Sequence, residues 1–326
     1  MAIHSPPPVL RIGTRGGELA SWQAAEVARL IVAAHPAAAV DIRVIRTTGD
    51  RDASTPVARI GGTGVFTREI EAALQEGAID IAVHSLKDLP TRLADGLGLA
   101  AILERADPRD ALVATPGSRL EFLPPGARIG TSSMRRRSQL LARYPYLLML
   151  DIRGNVPTRL AKLDRGEFDG LVLARAGLIR LGLDSRAAEV IEPDVVVPAP
   201  GQGALAIESR AGDDRVIEMI QVIDHVPTRL ATCAERAFLA RVEGGCQAPV
   251  GALGTWTEDV LSLAAVVASA DGRRLVRAGS RTVIRSEADA AGAGADLADR
   301  LLRDGAADIL REIRGRGSSA AGTDAT

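Results

Sequence analysis

The word Glu243-Gly244-Gly245-Cys246-Gln247-Ala248-Pro249-Val250-Gly251 sets a thiol in a Gly-Gly turn between a helical pattern and a strand pattern. A cysteine in that setting is accessible, whereas Cys233, in a helix among alanines, fits a buried structural role. In Ala82-Val83-His84-Ser85-Leu86-Lys87-Asp88-Leu89-Pro90, a strand pattern ends in Ser85, Lys87 and Asp88, at the edge where α/β sheets place ligands. A Lys-Asp neighbour pair is more often a solvated loop, so its position is what recommends it. Thr131-Ser132-Ser133-Met134-Arg135-Arg136-Arg137 joins hydroxyls, a helix start and fixed cations. Arginine forks grip carboxylate or phosphate with two hydrogen bonds and stay charged, so this is an anion clamp or a plain basic helix face. Asp151-Ile152-Arg153-Gly154-Asn155, followed by Arg159, repeats the arrangement of strand end, glycine turn and arginines. Several such places brought together would hold a polyanion.

Other chemistries find no support. His4, His35, His84 and His225 are scattered, and neither cysteine has a ligand neighbour at metal-binding spacing, so no metal site is expected. Gly61-Gly62-Thr63-Gly64 lacks the Lys-Ser/Thr of a phosphate loop, and no glycine-rich stretch fits the dinucleotide fingerprint.

These residues need a scaffold, and the sequence supplies an α/β one. Short apolar runs at Leu10–Gly13, Val40–Thr47 and Ile79–Val83 alternate with a helical pattern over Glu18–Ala34. A second series has strands at Arg128–Gly130, Leu147–Asp151 and Leu171–Ala174 and helices at Ser138–Arg143 and Pro157–Arg165. Arg11-Ile12-Gly13-Thr14 recurs as Arg128-Ile129-Gly130-Thr131, which suggests two similar domains whose helix N-termini favour anions in a shared cleft. The last third differs: a helix over Thr228–Val242, strands Val260–Ala268 and Leu275–Val283 about Asp271-Gly272, and a helix over Glu287–Arg303.

The 326 residues, 46% of them hydrophobic, are enough for two or three domains. A formal charge of −1, from 40 basic and 41 acidic residues, provides no global field for nucleic acid or a membrane surface. Only Lys87 and Lys162 are lysine, so most arginines reflect composition rather than function. Two cysteines make no disulfide framework, no signal-peptide pattern precedes the first strand, and no apolar run approaches the roughly 18 residues of a membrane span. The expectation is a cytoplasmic protein without nucleic-acid or membrane partners. From these residues alone, a hinged anion-binding protein and a thiol hydrolase stay open; the first needs no Cys246, and the second lacks a histidine placed as a paired base.

Taken together, Leu10-Arg11-Ile12-Gly13-Thr14-Arg15, Gly61-Gly62-Thr63-Gly64-Val65-Phe66, His84 to Pro90, Gly130 to Arg136, Arg153-Gly154-Asn155-Val156, Gly201-Gln202-Gly203-Ala204 and Glu243 to Gln247 resemble, in this order, the words of the porphobilinogen deaminase (hydroxymethylbilane synthase) family. The resemblance implies two periplasmic-binding-protein-like α/β domains with hinge crossings and a small C-terminal α+β domain. In this sequence they would be 9–103 with 200–221, then 105–198, then 222–314, with 315–326 a disordered tail. It further implies a transferase that deaminates four porphobilinogen molecules and joins them head to tail. They grow on a dipyrromethane cofactor held by Cys246 as a thioether, and the enzyme is a monomer.

The same resemblance distributes the roles. Asp88, with Lys87 and Arg15, would be catalytic, Asp88 balancing positive charge near the pyrrole nitrogens. Ser85, Lys87, Asp88, Thr131, Ser132, Ser133, Arg135, Arg136, Gly154 and Arg159 would hold the cofactor. Arg15, Arg153, Arg159, Arg180 and Phe66 would meet the substrate. Two places depart from the family: Gly16-Gly17-Glu18 stands where a serine and a proline are usual, and Thr63 where a lysine is common, with Arg59 placed to compensate.

Overall fold

A computed structural model describes residues 9–47, 67–242 and 249–320, with the backbone alone for 316–320. The chain runs β1 (Val9–Arg15), α1 (Glu18–Ala34), β2 (Ala39–Ile45), α2 (Arg68–Gln75), β3 (Ile81–Ser85) and β4 (Leu97–Ile102). It continues through β5 (Asp110–Ala114), β6 (Arg128–Gly130), α3 (Met134–Arg143), β7 (Leu148–Leu150), α4 (Val156–Asp164), β8 (Gly170–Ala174), α5 (Arg175–Arg180) and β9 (Ala187–Ile191). Then come β10 (Leu205–Arg210), α6 (Asp214–Gln221), α7 (Val226–Arg241), β11 (Val250–Thr257), β12 (Val260–Ala268), β13 (Leu275–Val283), α8 (Glu287–Leu301) and α9 (Ala307–Ala320).

Contacts divide the chain into two units, Met1–Arg105 with Ala204–Arg229, and Ala106–Gly203 with Leu230–Thr326. The first unit holds a five-stranded sheet in the order β2-β1-β3-β10-β4; the second holds β7-β6-β8-β5-β9 and a three-stranded sheet, β11-β12-β13. The fold is therefore α/β with two related sheets and a small C-terminal sheet covered by helices. In each large sheet the strand that follows a chain crossing, β10 or β5, lies antiparallel to both neighbours.

The tetrapeptide repeat marks a structural repeat. β1 pairs in parallel with β2 and β3, and β6 pairs in parallel with β7 and β8, so both copies occupy the same place in their sheets. Arg11 clasps Asp80 through its backbone N–H (2.9 Å), Nε (3.0 Å) and Nη2 (2.7 Å). Arg128 clasps Asp169 through the same three groups, at 2.7, 3.1 and 2.8 Å. Each pair joins the start of one parallel strand to the residue that leads into the next. Gly13 and Gly130 are small for a related reason: a Cβ would collide with Ile79 in the first copy and with Leu171 and Phe168 in the second.

The first sheet buries Leu10, Ile12, Ile81, Val83 and Ile207 beneath α1, whose inward face is Gln23, Ala24, Val27 and Ile31. That spacing of three to four residues is one side of a helix, and each large apolar side chain removed from water contributes about 1.5–3 kcal/mol. The C-terminal sheet turns between β11 and β12 at Glu258 and Asp259, with φ of 50° and 63°, the left-handed pair that suits a two-residue hairpin. The sequence expectation of a strand pair misses β11, because Val250–Thr257 carries two glycines and no clean alternation. Its Asp271-Gly272 turn is present between β12 and β13, with Gly272 at φ 74°.

α7 and α8 pack closely enough that a Cβ on Gly294 would strike the Ala234 carbonyl oxygen. Backbone cannot retreat as a side-chain tip can, so Gly294→Val should cost about 1–3 kcal/mol or more, read as a lower urea midpoint. An unchanged midpoint would show that the helices separate freely.

Candidate functional site

In the first unit, β3 ends at Ser85 and the chain tightens into one 3-10 turn, Leu86–Asp88. Leu86 and Leu89 are buried, which leaves Lys87 half-buried and Asp88 exposed. The Leu86 N–H donates to the Ala204 carbonyl at 3.0 Å, fixing the turn against the approach to β10. Ser85 Oγ accepts from Gln23 Nε2 at 2.9 Å, and Arg15 ends β1 half-buried. Among the described residues no cation forms an ion pair with Asp88. A carboxylate presented in this way can balance a charge that arrives with a ligand. Below it lies a buried pair, His84 Nε2 and Glu208 Oε2, 3.2 Å apart but not aligned for a hydrogen bond.

In the second unit, every predicted anion-binding residue follows the C-terminal end of a parallel strand. β6 runs into Thr131, Ser132 and Ser133. Thr131 is buried, Ser132 Oγ donates to the Ile152 carbonyl at 2.5 Å, and Ser133 caps α3 by accepting from the Arg136 N–H. β7 runs into Arg153 and Gly154, and Asn155 caps α4 by accepting from the Thr158 N–H at 2.9 Å. Gly154 has φ 109°, and a Cβ there would also press on Thr158, so this turn requires glycine. Arg159 Nε donates to the Gly154 carbonyl at 2.7 Å. β8 runs into α5, whose buried Arg180 donates from Nη2 to the Gly203 carbonyl at 2.6 Å.

The charges here are unevenly matched. Arg135 Nη1 meets Asp110 Oδ2 at 2.7 Å, while Arg136 Nε and Nη2 meet Asp110 Oδ1 at 3.0 and 2.8 Å. Burial pushes the Asp110 carboxyl up, but the two guanidiniums outweigh it and hold it far below the usual carboxylate range. Arg159 is pushed down to about 10, first by burial and then by the like charges of Arg136 and Arg153. Burial alone pushes Arg180 down to about 10. Among the described residues no carboxylate forms an ion pair with Arg153 or Arg159. Clustered cations at strand ends, with few carboxylates paired to them among the described residues, can bind carboxylate groups.

The structure thus brings Thr131, Ser132, Ser133, Arg135, Arg136, Arg153, Gly154, Arg159 and Arg180 into one unit, and Arg15, Ser85, Lys87 and Asp88 into the other. Cys246, Phe66, Arg59 and Thr63 lie outside the described residues. Sequence reasoning passed over Asp110, Gln202 as a side chain, and Glu235. Buried Glu235 accepts from the Gly201 N–H at 2.6 Å and the Gly254 N–H at 2.7 Å, joining the chain crossing to β11. The available signal was weak, an acid in the largely apolar helical stretch Ala231 to Ala240, where Arg236 is the other charged residue.

Comparison with known proteins shows the family. The family described as "Porphobilinogen deaminase, dipyromethane cofactor binding domain" matches residues 10–218, and "Porphobilinogen deaminase, C-terminal domain" matches 230–303. A porphobilinogen deaminase of Pelobacter propionicus is 49% identical over 309 residues, covering 94% of this chain and 98% of its own. One of Desulforudis audaxviator is 51% identical over 304 residues, covering 93% and 97%. Among solved structures, the methionine-binding protein MetQ aligns with 66% of this chain and 89% of its own, with a TM-score of 0.42 and 13% identity.

Proposed function

The chain belongs to the porphobilinogen deaminase family, and from that premise we propose how its residues divide the work of deaminating and joining porphobilinogen. It is a transferase of tetrapyrrole biosynthesis with hydroxymethylbilane synthase activity and a dipyrromethane cofactor. The chemistry that dipyrromethane supplies when bound is a free pyrrole α-carbon on which chain growth begins.

Cys246 holds the cofactor through a thioether. Asp88 is the catalytic carboxylate. When porphobilinogen loses ammonia the remaining pyrrole is an electron-poor cation, and the positive charge passes to the ring whose α-carbon attacks it. Asp88 balances the charge on either ring and takes the proton that the attacking α-carbon must lose for its ring to regain aromaticity, with Lys87 and Arg15 sharing the reaction. The observation that supports this assignment is the outward presentation of Asp88 on a turn whose flanking leucines are buried, with no ion-pair partner among the described residues.

Each pyrrole brings an acetate and a propionate, so the growing product is a polyanion. Arg135, Arg136 and Arg159, with Ser85, Thr131, Ser132, Ser133 and the Gly154 turn, hold the cofactor carboxylates. Arg15, Arg153, Arg159 and Arg180 take those of the substrate, and Phe66 packs near the rings. The fit is one of charge: buried guanidiniums outnumber the carboxylates that neutralise them. Because Arg159 and Arg180 lose charge near pH 10, the KM for porphobilinogen should stay level through neutral pH and climb as pH rises through about 10. A flat KM across that range would remove both from substrate binding.

The protein is a cytoplasmic monomer in this reading, and a chain with only two cysteines suits a reducing compartment. Among the described residues no helix is long and apolar enough to cross a membrane. Intact-protein mass spectrometry tests the cofactor assignment. The purified protein should be heavier than its sequence by two linked pyrrole units, and an active protein of unmodified mass would refute it.

A further inference from the structure

Asp110, at the first position of β5, has no exposed surface and accepts hydrogen bonds from Arg135 Nη1, Arg136 Nε, Arg136 Nη2 and, at 2.9 Å, Gln202 Nε2. The two guanidiniums are themselves only 5% and 7% exposed. Among the described residues, two positive charges therefore share one negative charge. Backbone carbonyls of Val197 and Val172 take one further N–H from each arginine at 2.8 and 3.1 Å, but they carry no charge. Among the described residues no second carboxylate pairs with either arginine, and Arg135 hydrogen-bonds only through Nη1. A buried charge left unbalanced is costly, so the arrangement is incomplete as it stands.

We propose that Asp110 is the resident counter-ion of the Arg135–Arg136 pair, a positioning residue that supplies one of the two negative charges the pair requires and leaves the other to a carboxylate of the dipyrromethane cofactor. This rests on the reading of Arg135 and Arg136 as cofactor-carboxylate ligands. Asp110 fixes the inward edges of both guanidiniums, so the N–H groups left over on Arg135 are held ready for the incoming carboxylate. Gln202, which also donates to the Pro108 carbonyl at 2.7 Å, sets the position of the Asp110 carboxylate. The bound cofactor then completes the charge balance of the unit as well as serving as primer.

The test compares the melting temperatures of cofactor-loaded protein and of cofactor-free protein made in a host that cannot synthesise porphobilinogen. Their difference reports how much the bound group stabilises the fold. Asp110→Asn leaves two unbalanced cations in the cofactor-free form, so the gap should widen by about 3 °C or more, the shift of about two kcal/mol in a protein of this size. Gln202→Glu adds a second internal carboxylate beside the arginines, and the gap should narrow by a similar amount. Arg135→Gln should also narrow it.

An equal fall of both forms in Asp110→Asn, with the gap unchanged, would make Asp110 an ordinary structural ion pair and overturn the proposal. A gap unchanged in Arg135→Gln would instead sink the assignment of that arginine to the cofactor, and the proposal with it. Asp110→Asn recovered only in the loaded form is the limiting case of the expected widening. If it is recovered in neither form, Gln202→Glu decides, and a gap that fails to narrow overturns the proposal.

Discussion

Cys246→Ser is expected to give a folded protein whose mass equals its sequence and whose turnover falls to background. A thiol with an ordinary pKa of about 8.5 is a few per cent thiolate at neutral pH and is intrinsically a strong nucleophile. A serine hydroxyl is almost entirely neutral there and is a far poorer one. Formation of the thioether needs sulfur to attack the methylene carbon that has lost ammonia, and the replacement removes the attacking atom while changing little volume. Without a covalent primer, the chain of pyrroles has no fixed end from which its length can be set. Circular dichroism should match the wild type. Cys233→Ser is the internal control. Cys233 Sγ lies 3.4 Å from the Glu287 carbonyl in the helical packing of the second unit, and its loss should leave both mass increment and turnover in place. An adduct that survives Cys246→Ser but not Cys233→Ser would reassign the attachment.

The fold was most legible where the residue pattern has a single explanation. The helix over Glu18–Ala34 is bounded as its pattern suggests, because its buried positions recur every three to four residues. The Arg-Ile-Gly-Thr repeat led to two matching sheets because three of its residues have demanding jobs: the arginine clasps an aspartate, the isoleucine is core, and the glycine lies against bulky side chains. α3 was legible in its second half as a helical pattern and before that only as a helix start. Its first turn is Met134-Arg135-Arg136-Arg137, where no apolar spacing signals a helix, and the buried face is made partly of arginines paired with Asp110. Strands β4, β5 and β9 escaped notice for a related reason. Their pairing partners are distant in sequence, so nothing local distinguishes Asp110–Ala114 from an apolar loop. Asp110 itself stands in Asp107-Pro108-Arg109-Asp110, a run that resembles solvated charge, and its burial depends on residues from α3 and the second chain crossing.

For Asp88→Asn the expected result is a normally folded, cofactor-bearing protein with kcat reduced by about three decades. Asp88 is exposed, so the substitution should change stability by no more than about 0.5 kcal/mol. The effect on the reaction is larger because it concerns a full charge. A carboxylate about 4 Å from a developing pyrrole cation, at an effective dielectric near 20, stabilises it by about 4 kcal/mol, or roughly three powers of ten in rate. An amide keeps the shape and hydrogen-bonding reach of the side chain but supplies only a dipole, and it cannot accept the proton that the attacking α-carbon loses as its ring regains aromaticity. The ground-state substrate is bound chiefly through its acetate and propionate, so KM should stay within about threefold, and the loss should fall on kcat and kcat/KM together. Asp88→Glu separates charge from geometry. It restores the charge on a longer arm and should recover part of the rate, whereas a residue needed only for the shape of the Leu86–Asp88 turn would gain nothing from it. If kcat for Asp88→Asn stays within tenfold of the wild type, the charge that stabilises the cation comes from elsewhere, and Asp88 loses the catalytic assignment.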